Sequence, residues 1–205
     1  AVIFYHRNFT QREMLKKEVG YLKAKLNTAN EISLENQRLR DLLSLKQDSA
    51  YKVIASRVIG HSADNWSSVV IIDKGSLRGV KKGDVVITYL GLAGKVMEVS
   101  LSTSKVALLN DPSISVSAIT QRARQEGLVY GTLRGTLMMK YLTKESDIRV
   151  SDLVVTSGLT QTYPKGLIIG NITEIGEELS GLSRYAVIKP AVDLSNIEEV
   201  LVIIQ

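Results

Sequence analysis

The stretch Val80-Lys81-Lys82-Gly83-Asp84-Val85-Val86-Ile87-Thr88 returns, altered but legible, as Ile148-Arg149-Val150-Ser151-Asp152-Leu153-Val154-Val155-Thr156. In both copies a turn ending in aspartate runs into apolar and β-branched residues, the composition of a tight corner followed by a strand. A second pair lies further on, where Gly94-Lys95-Val96-Met97-Glu98-Val99 matches Gly170-Asn171-Ile172-Thr173-Glu174-Ile175. The separation grows from 68 to 76 residues between the two pairs, which places a longer loop, Ser157 to Gly166, in the second copy. Two related units at this spacing predict two small barrels rather than one large sheet.

Short apolar runs bounded by turn signals extend this reading to the whole chain after Tyr51. They predict strands at 52–60, 67–72, 85–89, 93–99, 104–109, 115–121, 126–131, 136–141, 153–157, 167–175, 184–190 and 198–204. Asp73-Lys74-Gly75, Asn110-Asp111-Pro112 and Tyr163-Pro164-Lys165-Gly166 are among the turns that separate them. Six strands per barrel divide the set evenly. With the duplicated aspartate turns taken as the crossings between barrels, residues 51–76 and 150–205 form a discontinuous first barrel. Residues 77–149 are then the second, inserted one.

Ahead of the strands lies a segment of a different period. From Thr10 to Gln47 there is no proline and a single glycine, Gly20, and apolar residues recur in steps of four and three at Leu15, Val19, Leu22, Leu26 and Ala29. That is a heptad seam, by which one helix buries itself against another. The seam continues through Ile32, Asn36, Leu39 and Leu43, and its two successive three-residue steps at Ala29 and Ile32 form a stammer. Asn36 falls at a seam position, where a polar residue sets register and oligomer state, or else on a flank where the pair diverges. The rest of the chain offers no second long helix, so residues 1–50 are expected to form a coiled coil with another copy.

Composition removes several classes of function. There is no cysteine, which excludes disulfides, thiol catalysis and thiolate metal sites. The net charge of +5 is uneven: residues 1–30 hold six Lys/Arg against two Asp/Glu. A basic segment facing anionic lipid has this composition, and so does a solvated helix face. The apolar run Ala1-Val2-Ile3-Phe4-Tyr5 is far shorter than the ~20 residues of a membrane span, so any anchor is expected upstream of Ala1. Aromatic residues make up 5% and basic residues are interspersed with acids, so neither a stacking platform nor a basic stripe for nucleic acid is visible.

Several motifs, in order, resemble the rod shape-determining protein MreC family. They are Glu35-Asn36-Gln37-Arg38-Leu39-Arg40-Asp41-Leu42-Leu43, Arg57-Val58-Ile59-Gly60 followed by Trp66, Ile72-Asp73-Lys74-Gly75, and Gly79-Val80-Lys81-Lys82-Gly83-Asp84. Leu109-Asn110-Asp111-Pro112, Pro164-Lys165-Gly166-Leu167 and Pro190-Ala191-Val192-Asp193 complete the set. The resemblance spans Glu35 to Ile204. It implies a mainly β protein: a coiled coil followed by two six-stranded barrels arranged as in trypsin-type proteases, without their chemistry. It further implies a single-pass protein of the bacterial cytoplasmic membrane, with this sequence on the extracytoplasmic side. Such a protein scaffolds the cell-elongation machinery with a class B penicillin-binding transpeptidase, MreD and RodA as partners, and needs no cofactor.

A protease-like arrangement calls for a search for a nucleophile, a base and an orienting carboxylate. Only His6 and His61 are present; His6 precedes the coil, and His61 sits near Asp64 in a loop with no serine motif beyond the ordinary turn Ser157-Gly158. Two histidines without cysteine make a poor zinc site, and no phosphate-binding glycine loop appears. A transport adaptor also combines a coiled coil with barrels, but it needs two adjacent long helices flanked by β structure. Partner binding is therefore expected on apolar loops of the barrels, Gly60 to Trp66, Tyr89-Leu90-Gly91-Leu92 and Leu159 to Tyr163. Trp66, Tyr89, Leu90, Leu92, Leu159 and Tyr163 are the candidate contacts, because aromatic and large apolar residues there suit a protein interface.

Overall fold

In a computed structural model the described residues are 2–48, 51–62, 68–132, 136–160, 162–178 and 183–204, and within the helix side chains are described at 14 and 16–44. Trp66 lies outside them, as does the side chain of Leu15. The helix α1 runs Val2–Asp48, 47 residues and about 70 Å at the α-helical rise. It starts well before Thr10, because nothing between Val2 and Thr10 is a helix breaker. Gly20 is carried inside it with nothing within 4 Å of an added Cβ. Among the described residues no helix is long and apolar enough to cross a membrane.

Residues 44–205 form a separate compact unit. Its strands are β1 (Val53–His61), β2 (Val69–Ile72), β3 (Val85–Thr88), β4 (Gly91–Val99), β5 (Ser104–Leu108) and β6 (Ser115–Thr120). They continue with β7 (Glu126–Gly131), β8 (Leu137–Thr143), β9 (Leu153–Thr156), β10 (Ile168–Glu177), β11 (Ser183–Pro190) and β12 (Glu199–Ile203). Each of the twelve coincides with an expected strand to within a few residues. They close into two six-stranded antiparallel barrels, one ordered β1-β12-β3-β4-β5-β2 and the other β10-β11-β8-β7-β6-β9.

That order corrects the expected division of the chain. The first barrel takes β1 to β5 and β12; the second is β6 to β11, inserted between β5 and β12. The division into 51–76 with 150–205, and 77–149, therefore misassigns β3 to β5 and β9 to β11. The aspartate turns are corners within a barrel, and hydrogen bonds show why. The Gly83 N–H donates to the Val96 carbonyl and the Val96 N–H to the Asp84 carbonyl, folding the turn onto the next strand of the same sheet. In the second copy the Ser151 N–H donates to Ile172 and the Ile172 N–H to Asp152. Each aspartate side chain also accepts the N–H three residues back, Lys81 to Asp84 at 2.7 Å and Arg149 to Asp152 at 2.9 Å. The chain crosses between barrels instead at Leu109 to Ile114 and at Ala191 to Glu198.

The two crossings are themselves copies. Leu109 N–H donates to Ala93 and Ala191 N–H to Ile169, while Asp111 accepts from Ser113 N–H and Asp193 from Ser195 N–H. The repeat is thus six strands long, β1–β6 and β7–β12, and each repeat gives its sixth strand to the other's barrel. β12 sits between β1 and β3, as β6 sits between β7 and β9. Both barrels are filled by large apolar side chains, with Ile72, Leu92, Leu201 and Ile203 fully buried in the first and Leu137, Met139, Ile172 and Ile188 in the second. One ionic tie is particular to the second barrel: Arg122 reaches Asp147 at 2.6 Å and the buried Asp152 at 2.8 Å. Its hydrogen bonds hold both carboxyls below their usual range.

Close strand approach leaves no space for a side chain at two equivalent glycines. An added Cβ at Gly94 would overlap the Ala107 carbonyl oxygen, and at Gly170 that of Lys189. Gly94→Ala or Gly170→Ala is expected to cost roughly 1–3 kcal/mol in chemical denaturation, whereas Gly20→Ala should cost nothing. The depressed Asp147 and Asp152 pKa values make their contribution complete above the ordinary carboxylate range and lost as pH falls through the folded values. An acid-unfolding titration should therefore show the wild type losing its advantage over Arg122→Ala as the pH drops below about 4.

Candidate interaction surfaces

Along the helix a set of apolar side chains stands exposed in the single chain. Val19, Leu22, Leu26, Ile32, Leu39 and Leu43 are between 45% and 61% exposed, and Ala29 is exposed as well. Three- and four-residue spacing puts them along one side of α1. Several polar groups are already served within the helix: Thr28 Oγ1 donates to the Ala24 carbonyl, and Gln37 Nε2 to Asp41 Oδ1 at 3.0 Å. Asn36 Nδ2 donates to the Ile32 carbonyl at 3.1 Å. The seam leucines Leu22, Leu26, Leu39 and Leu43 are exposed, whereas Leu42 is buried. Met14, Tyr21 and Leu34 are exposed too, which widens the apolar surface beyond the seam.

The barrel loops divide the candidate contacts. Tyr89 and Leu90 are exposed in the β3–β4 turn, and Leu159 is exposed in the β9–β10 loop. These are equivalent corners of the two repeats. Leu92 does not belong with them: it is fully buried, because period-two alternation from Gly91 turns it into the first barrel. Tyr163 is also buried, at 5% exposed, and burial pushes its phenol up to about 12. Its ring lies 5.7 Å from the Lys95 ammonium. Both are corrections to the expected contact set: Leu92 lies in a strand rather than a loop, and Tyr163 lies in the β9–β10 loop but is buried there.

Sequence reasoning missed other exposed apolar residues. Ile168 opens β10 beside the β3–β4 turn, where an added Cβ at Gly91 would overlap the Ile168 carbonyl oxygen, so Tyr89, Leu90 and Ile168 share one neighbourhood. Leu77 and Leu101 are exposed side by side, joined by the Leu77 N–H to Leu101 carbonyl bond of 3.1 Å. Tyr141, exposed with φ of 63°, holds a backbone conformation that side chains seldom take. Alternation within strands could have flagged Ile168; nothing in the sequence marks Tyr141. The described His61 is an exposed residue at the end of β1, and among the described residues no three potential metal ligands cluster.

These features can be set beside known proteins. The family model for rod shape-determining protein MreC, barrel core, matches residues 58–204. The cell shape-determining protein MreC of Geobacillus stearothermophilus is 35% identical over 97% of this chain and 72% of its own. A solved MreC structure from Listeria monocytogenes is 33% identical, covers 92% of both chains and superposes with a TM-score of 0.69. A structure of a complex between penicillin-binding protein PBP2 and MreC from Helicobacter pylori shares the fold at 15% identity, with a TM-score of 0.58 over 75% of this chain and all of that one. With the barrel-core model matching residues 58–204 and a relative 35% identical over 97% of this chain, the chain belongs to the MreC family of rod shape-determining proteins.

Proposed function

We propose that this chain is a non-enzymatic scaffold of bacterial wall synthesis that pairs through α1 and presents its barrels to a penicillin-binding transpeptidase. The observation that carries the reading is the long uncovered leucine stripe on a helix attached to closed barrels whose described residues hold no metal-ligand cluster. Exposed leucines in register along such a length are costly in water and are relieved by a second, parallel copy. The complex solved for the Helicobacter pylori relative supports the transpeptidase as partner. The family resemblance adds MreD and RodA, and an anchor upstream of Ala1 in the cytoplasmic membrane with this sequence on the outer side. The six-to-two basic excess of residues 1–30 suits a position next to anionic lipid. Paired copies would give each partner two points of attachment, raising avidity without new contacts.

Two experiments test this. Burying a leucine is worth about 1.5–3 kcal/mol, so Leu22→Asp with Leu26→Asp should convert a dimer to monomer in sedimentation equilibrium. A wild type that is monomeric at high concentration would sink the pairing. On the barrels, Tyr89→Ala and Leu159→Ala should leave thermal stability unchanged and weaken capture of a transpeptidase ectodomain. The buried Leu92→Ala should instead cost about 2–5 kcal/mol of stability. Normal capture by both exposed-residue variants would move the interface off these corners.

A further inference from the structure

The duplicated corners provide an internal comparison, because the same backbone is built twice with different charges. Beside the first corner is a groove of about 390 Å³, within the ~300–1,000 Å³ of small-molecule sites. Its floor includes the buried Val96, Ala107 and Ile114, and Lys82, Lys95 and Glu98 line its rim. The Glu98 carboxylate is taken by Lys105 at 2.8 Å. The Asp111 carboxylate, behind the lining residue Ser113, already accepts the Ser68 and Ser113 N–H groups and the Ser113 hydroxyl. Among the described residues, neither Lys82 nor Lys95 makes a salt bridge, although the Lys82 charge reaches Glu98 and, after Lys105, helps hold its carboxyl low. The Lys95 stem passes Gly83, its Cε 3.8 Å from an added Cβ there, and its ammonium stands over Tyr163. Lys82, Lys95 and Lys105 against Glu98 leave two positive charges in excess at this rim.

The second corner shows that the fold does not need those charges. Equivalent hydrogen bonds join Ser151, Asp152 and Ile172, and the bulge between Val96 and Glu98 against β5 recurs between Ile172 and Glu174 against β11. Yet the positions of Lys82, Lys95 and Lys105 are held there by Val150, Asn171 and Val187, while Glu98 is matched by Glu174 and Ala107 by Lys189, so the excess of two positive charges falls to none. A net positive excess beside an apolar floor in one copy, where the other copy is balanced, points to an anionic ligand.

We propose that this groove binds a small anionic ligand bearing carboxylate or phosphate groups, held between Lys82 and Lys95 with an apolar portion on Val96, Ala107 and Ile114. The test is a nuclear magnetic resonance titration of the full chain with sodium succinate and, separately, inorganic phosphate, at constant ionic strength. The amides of Gly83, Lys95 and Ser113 should shift and saturate, while those of Ser151 and Asn171 stay in place. Lys82→Gln with Lys95→Gln should weaken binding about tenfold or more, because hydrogen bonds to charged groups are worth a decade or more each. Lys82→Gln alone, at an exposed position, should weaken it by a smaller factor with the rest of the spectrum unchanged. Saturation by succinate only assigns the ligand to carboxylates, by phosphate only to phosphates, and by both to either anion. Shifts that never saturate, that are equal at the two corners, or that persist unchanged in the double variant overturn the proposal.

Discussion

The hydrogen-bond ladder that seats β12 between β1 and β3 closes the first barrel, and most of what is distinctive in the molecule depends on it. Val53 pairs with Ile203 and Val85 with the same residue from the other side, so a strand from the far end of the sequence completes a sheet begun at its near end. β12 can fill that slot because it is apolar on both sides: Val200, Leu201 and Val202 are all buried. The second barrel meets the same requirement with β6, whose Val116, Ala118 and Ile119 are buried. Closure removes every free edge from both sheets, which is how a small all-β unit avoids pairing with its neighbours. The exchange of sixth strands also joins the barrels through two covalent crossings rather than one.

The aspartate corners explain how the duplication persisted while surfaces diverged. A carboxylate that caps an N–H three residues back and a backbone that folds onto the next strand form a self-sufficient turn. Asp84 and Asp152 do this in the same way although Gly83, at φ of 98°, is matched by Ser151 at φ of 75°. The serine tolerates a left-handed conformation that costs glycine nothing, and the second corner has the Arg122 bridge beside it. Side chains outside the turn are then free to differ. Tyr89 and Leu90 in the first repeat stand where a ten-residue loop, Ser157 to Gly166, stands in the second.

Local pattern was enough to find α1 and all twelve strands, since seam spacing, alternation and turn residues are properties of neighbours in sequence. Which strands share a sheet is not such a property. Nothing in Glu199–Ile203 says that it lies beside Val53 rather than beside its neighbour β11, and an even division by sequence therefore failed. The same limit explains the contact candidates. Leu90 and Leu92 are two residues apart and chemically identical, yet one is exposed and the other fully buried, because a strand starts between them. Tyr163 was read as loop surface by composition, but it lies buried with the Lys95 side chain beside it. The proposed seam rests on sequence spacing, and its described residues are exposed in the single chain.

Placing the closing strand of the first barrel after the whole of the second imposes an order of assembly during synthesis. When β11 has been made, the second barrel has all six of its strands, while the first still lacks one. Until β12 is made, β1 and β3 present unpaired backbone along two facing edges, with Val53, Val85 and Val86 beside an empty slot. The pairing that ends this interval joins residues separated by nearly the full length of the barrel unit, the kind of contact that forms slowly. Newborn chains are therefore most vulnerable to edge-to-edge aggregation when they are almost complete, and the barrel begun first is the one finished last.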